Sequence, residues 1–119
     1  MTNGVIDAAA AYVDVEGGLS RVRGNKTLYR RMLQLFLDSK EFGEMEERFA
    51  AENFKALAET AHGIKGMTGN LALPKLFEIS TKLMDELRAD SFDIKTYEQY
   101  LEILADTRKY VEIEMQKLD

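Results

Sequence analysis

The stretch Ala61-His62-Gly63-Ile64-Lys65-Gly66-Met67-Thr68-Gly69 decides how this chain is read. It holds the only histidine of the protein, and glycines follow that residue at one, four and seven positions. The surrounding apolar spacing is helical, yet a glycine in a helix interior costs roughly 1 kcal/mol relative to alanine. A segment that accepts about three such penalties within two turns needs the room they leave.

At about 100° per residue, Leu57, Ala61, Ile64, Thr68 and Leu71 gather on one side and form an inward stripe. His62 falls roughly opposite. On its face lie Lys55, Ala58, Glu59, Gly66, Gly69 and, if the helix reaches that far, Leu73. The neighbours of His62 one turn away along its own strip are Ala58 and Gly66, so no bulky group crowds the ring. The imidazole is expected to stand in water on a bare patch of helix, open to a macromolecule. This phase argues against a core histidine, and the glycines argue against an idle surface one.

The run from Ala61 to Leu71 resembles the signature of histidine-containing phosphotransfer (HPt) domains, Ala-His-x-Leu-Lys-Gly followed by small residues, an aliphatic and a glycine, with Leu76 matching a later leucine. Asn25 to Phe36 is similar to the family's preceding helix, through Leu28-Tyr29 and the Leu33-x-x-Phe36 spacing, so the likeness covers most of residues 13 to 90. One departure is Ala72, where the family has glycine. If the helix ends there in a left-handed cap, alanine costs about 1 kcal/mol that glycine avoids.

The resemblance implies that His62 accepts a phosphoryl group from the aspartyl phosphate of a response-regulator receiver domain or a hybrid sensor kinase and passes it to another receiver aspartate. Imidazole chemistry suits the task, because an ordinary pKa of about 6.5 leaves a large unprotonated, nucleophilic fraction at neutral pH. Lys65 lies one turn further and about 60° round the helix, within reach of the phosphoryl oxygens. Gly66 and Gly69 would supply clearance, and Lys55, Ala58, Glu59 and Leu73 would complete the docking face. No P-loop is present, nor the His-Glu-Leu-Arg-Thr-Pro run of histidine-kinase dimerisation domains. The expectation is a relay intermediate without autokinase activity and without a cofactor of its own, any magnesium belonging to the receiver partner.

Two other readings compete. Glu59-x-x-His62 has the spacing of four-helix di-iron proteins, but one outward histidine supplies neither the second motif nor the inward glutamates such a site requires. Alternatively, the domain is an adaptor that binds a partner through the His62, Gly66 and Gly69 face and is never phosphorylated.

The whole chain sets the frame. Its 119 residues, 45% hydrophobic, are enough for one domain over residues 1–119 with a real core. A formal charge of −5 disfavours a nucleic-acid partner, which would call for a broad basic face. The absence of cysteine excludes disulfides and thiolate metal sites and is compatible with a cytoplasmic location. The longest apolar run is Ala8 to Val13, too short for a membrane span. A monomer is the default, since one exposed histidine suffices for relay, and Met1 favours a free-standing protein.

Around the central helix, running from Phe54 to about Asn70, the sequence predicts an all-α, up-and-down four-helix bundle with a short additional N-terminal helix. The first dozen residues, including Ala8 to Ala11, either form a helix or fray. Asp14 is expected to cap the short helix, which runs to Val22, and Asn25 a helix of about 25 residues with the stripe Leu28, Met32, Leu35, Phe36, Phe42, Met45, Phe49, kinked if anywhere at Gly43. Asn53 caps the histidine helix, and Pro74 starts the next, buried through Leu76, Phe77, Ser80, Leu83, Met84 and Leu87. The last helix carries Ile94, Tyr97, Leu101, Leu104, Val111, Met115 and Leu118, with Arg108 packing its stem and sending its head to water. Arg21, Arg23, Lys26, Arg30 and Arg31 form a local basic excess, either a solvated face or a steering surface for an acidic partner.

Overall fold

Three asparagine and aspartate caps start the helices where the sequence places them. Asp14 accepts from the Gly17 amide at 3.0 Å, Asn25 from Leu28 at 3.0 Å and Asn53 from Ala56 at 3.2 Å, each satisfying a donor that the first turn leaves orphaned. The computed structural model describes residues 8–118. Among them the chain forms α1 (Ala8–Tyr12), α2 (Val15–Arg21), α3 (Lys26–Leu37), α4 (Glu41–Ala50), α5 (Phe54–Leu71), α6 (Pro74–Arg88) and α7 (Ile94–Lys117). The α3–α4 pair, α5, α6 and α7 make an all-helical up-and-down bundle, and α1 and α2 are short N-terminal additions. Of the first dozen residues, Ala8–Tyr12 are helical and the others lie outside the described residues.

The single helix expected from Lys26 to Phe49 is in fact two, and the break falls at residues 38–40, not at Gly43. Its causes are local. The Ser39 hydroxyl accepts from the Glu41 amide at 3.3 Å, competing with the helical ladder. The carbonyl of Leu37, left without an amide partner by the break, receives the Arg108 guanidinium at 3.1 Å. Arg108, half-buried, therefore turns one side of its head onto the backbone of α3. Across the break Phe36 and Phe42 meet edge to face at 5.3 Å.

The phase of α3 also differs by one residue from the expected stripe. Tyr29, Leu33 and Phe36 are fully buried, whereas Leu35 is 64% exposed and Leu28 is exposed as well. Tyr29 sets this phase. Its ring fills the space beside Gly18, where a Cβ would come within 2.3 Å of it, and its hydroxyl donates to the Leu71 carbonyl at 2.8 Å. One side chain thus fastens α2, α3 and the end of α5. Burial, helped by Asp14 and Glu114, pushes its phenol up to about 12.

On α7 the buried positions are Thr96, Tyr97, Tyr100, Thr107, Val111 and Met115, followed by Leu118, while Ile94 and Leu101 are exposed. Tyr100 and the two threonines displace the expected aliphatics because their rings and methyls pack as well. The Thr107 hydroxyl is satisfied by the Ile103 carbonyl at 2.7 Å. On α6, Leu76, Ser80, Leu83 and Met84 are buried as expected; Ile79 joins them, and Phe77 and Leu87 are only half-buried.

Helix α5 matches its expected phase. Leu57, Ala61, Ile64, Thr68 and Leu71 are all buried. Burying each large aliphatic among them contributes roughly 1.5–3 kcal/mol, enough together to offset glycine penalties of about 3 kcal/mol. The helix stops at Ala72, which adopts φ 58° and ψ 56°. The amide of Leu73 returns to the Thr68 carbonyl at 3.0 Å, closing the turn. Ala72 therefore occupies the conformation glycine prefers, at a cost of about 1 kcal/mol. Pro74 then opens α6 antiparallel to α5.

Candidate functional site

The short α2 helix is held against the end of α5 from two directions. The Asp14 amide donates to the Ala72 carbonyl at 2.9 Å, and Tyr29 bridges to Leu71 as described. Phe77 stands on the other side, on α6. Between them an open groove of about 520 Å³ runs over the C-terminal half of α5. Its lining includes His62, Lys65, Gly66 and Gly69 from α5, Leu73 from the turn, Phe77 from α6 and Asp14 and Arg21 from the α2 region.

His62 is exposed, as its phase on the helix requires, and among the described residues nothing hydrogen-bonds its ring. Lys65 is half-buried, with its ammonium 6.0 Å from the centre of the Phe77 ring. That contact draws the lysine toward the α6 wall while leaving its flexible stem free to swing to an anion.

The glycines after the histidine divide into two kinds. A Cβ at Gly63 would come within 2.5 Å of the Glu41 carboxylate, and one at Gly69 within 3.1 Å of the Phe77 ring. Both admit neighbours from inside the fold. Around Gly66 nothing lies within 4 Å of the missing Cβ, so this glycine alone fronts open space beside His62. The clearance expected of Gly69 is thus taken up by Phe77. Burial and the neighbouring Glu44 push the Glu41 carboxyl above its ordinary range, against the effect of Lys40.

Two further members of the expected docking face are corrected. Leu73 is fully buried, because the left-handed Ala72 reverses the chain before it and turns its side chain inward. Ala58 is 7% exposed, since its single methyl is covered where α5 meets the end of α6. Lys55 and Glu59 are exposed, but with Ala58 they border a separate depression shared with Leu87 and Arg88. The structure therefore groups His62, Lys65, Gly66 and Gly69 and sets Lys55, Ala58 and Glu59 apart.

Sequence reasoning missed Phe77, Asp14 and Arg21 as groove residues. The position of Phe77 at the edge of the α6 stripe and the presence of Arg21 in the basic cluster were the available signals. Glu59 and His62 both face solvent, away from the bundle interior where di-iron carboxylate sites are built. Among the described residues no group of three histidine, aspartate or glutamate side chains is placed to hold a metal ion, and no helix is long and apolar enough to cross a membrane.

The arrangement is a helix with an exposed imidazole, a cation one turn away and open space beside them at Gly66. A family model described as the Hpt domain matches residues 31–115, most of the chain. No curated protein and no solved structure matches significantly.

Proposed function

We propose, from the premise that the chain belongs to the Hpt domain family, that it is a phosphorelay intermediate whose phosphoacceptor is His62. Membership implies histidine phosphotransfer in two-component signalling, and domains of this family interact with receiver domains and kinases and generally lack kinase activity. The finer reading concerns this chain. An unprotonated nitrogen of His62 attacks the phosphorus of an aspartyl phosphate on a receiver domain. The nitrogen–phosphorus bond forms as the phosphorus–oxygen bond breaks, and the electron pair returns to the aspartate carboxylate. The other ring nitrogen keeps its proton. Reversal onto a second receiver aspartate completes the relay.

Lys65 leaves the Phe77 ring to neutralise the phosphoryl oxygens, and Gly66 admits the receiver's loops. The chain itself brings no autokinase activity and no cofactor; magnesium belongs to the receiver, and the setting is the cytoplasm. The observation that carries this reading is the exposed His62 in a groove with Lys65 and an unobstructed Gly66. The test is incubation with a phosphorylated receiver domain, followed by intact-mass analysis and a check that the added phosphate is acid-labile. His62→Gln is expected to lose phosphate uptake completely while melting at the same temperature. Uptake that survives this substitution refutes His62 as acceptor, and a wild-type protein that never takes up phosphate is an adaptor.

A further inference from the structure

The groove beside His62 has a wall that the family match does not include. Helix α2 lies before residue 31, where the match begins, and yet it contributes Arg21 to the groove lining. Helix α2 packs on α3 and α5, whereas α6 packs on α5 and α7. The two flank the histidine helix from different sides. Lys65 is drawn to the α6 side by the Phe77 ring, so the α2 side of the groove has Arg21 as its cation.

Its placement is built. A seven-residue helix containing Gly17 and Gly18 would not persist alone in water. Here it is capped by Asp14, tied by the Asp14 amide to the Ala72 carbonyl and seated on the Tyr29 ring at Gly18. Asp14 also lines the groove, but its carboxylate is engaged with the Gly17 amide. Arg21 itself is exposed, and among the described residues no carboxylate pairs with it. A guanidinium presents a planar fork of donors that matches two oxygens of one phosphoryl group, which an ammonium does as a point charge.

We propose that Arg21 is a second phosphoryl ligand of this site, contacting the oxygens of the group carried on His62 from the α2 side while Lys65 contacts them from the α6 side. This rests on His62 being the phosphoacceptor. The phosphorus–nitrogen bond chemistry is unchanged; Arg21 neutralises charge on the non-bridging oxygens and gains or loses no proton.

The test uses the full chain phosphorylated with phosphoramidate, in wild type, Arg21→Ala and Arg21→Lys. Three quantities are read: the phosphorus NMR shift of the phosphohistidine, its lifetime, and the rate of transfer from a phosphorylated receiver domain. For Arg21→Ala we expect a displaced resonance, a shorter lifetime and transfer slower by about tenfold, the scale of one charge-assisted hydrogen bond. Arg21→Lys should recover part of each. Slower transfer with resonance and lifetime unchanged would mean that Arg21 only steers the receiver, and would overturn the proposal. So would three wild-type values in Arg21→Ala, which leaves the relay reading standing. A wild-type protein that takes up no phosphate from either donor brings down both together.

Discussion

Where α2 crosses α3, the space beside a glycine is occupied; where α5 faces solvent at His62, it is open. A Cβ on Gly18 would strike the Tyr29 ring at 2.3 Å, whereas one on Gly66 would meet nothing within 4 Å. Both residues sit inside helices and both weaken them by roughly 1 kcal/mol. At Gly18 that loss is recovered within the molecule, through a buried ring whose hydroxyl closes the end of α5. At Gly66 nothing in the fold recovers it. On the proposed reading, that unreturned penalty leaves room beside His62 for a receiver domain.

Substitutions at the two glycines can break this contrast. The largest effect is expected at Gly18→Ala, where overpacking a fully buried ring should cost about 3 kcal/mol, more than a hundredfold in the folding equilibrium. Urea unfolding would measure it; a cost under about 1 kcal/mol would show that the ring can slide and that Gly18 is dispensable. Gly66→Leu should do the reverse. The fold gains up to about 1 kcal/mol from a better helix former, while transfer from a receiver falls by about tenfold or more because the two reacting groups no longer reach bonding distance. Undiminished transfer would erase the distinction. The smallest effect is Ala72→Gly, which should stabilise by about 1 kcal/mol with phosphate uptake unchanged. It sharpens the comparison by isolating a position where backbone conformation, not clearance, favours glycine.

The histidine helix is readable because, apart from Phe54 at its start, its exposed positions are charged, polar, small or histidine, leaving only one apolar phase. In α3 the residues Leu28, Tyr29, Met32, Leu33, Leu35 and Phe36 populate two adjacent strips, and periodicity has no means of choosing between them. The choice is made by partners distant in sequence, Gly18 and the Leu71 carbonyl, which both need Tyr29 inside. The break at residues 38–40 carries no proline or glycine; its stabilising contact comes from Arg108, far along the chain. Leu73 was misplaced by extending a helical wheel through Ala72, although the departure at that residue already suggested a left-handed end. Arg21 is not legible as a groove residue because contacts distant in sequence, the Tyr29 bridge from Gly18 to Leu71 and the Asp14–Ala72 bond, bring α2 to the site.

That same bond orders events in time. A ribosome releases α2 before α5, but the acceptor for the Asp14 amide does not exist until the turn between α5 and α6 has been made. The residues of α2, too few to hold a helix alone, must wait as loose chain for a carbonyl synthesised much later. The groove therefore gains its second wall only when the bundle behind it is in place.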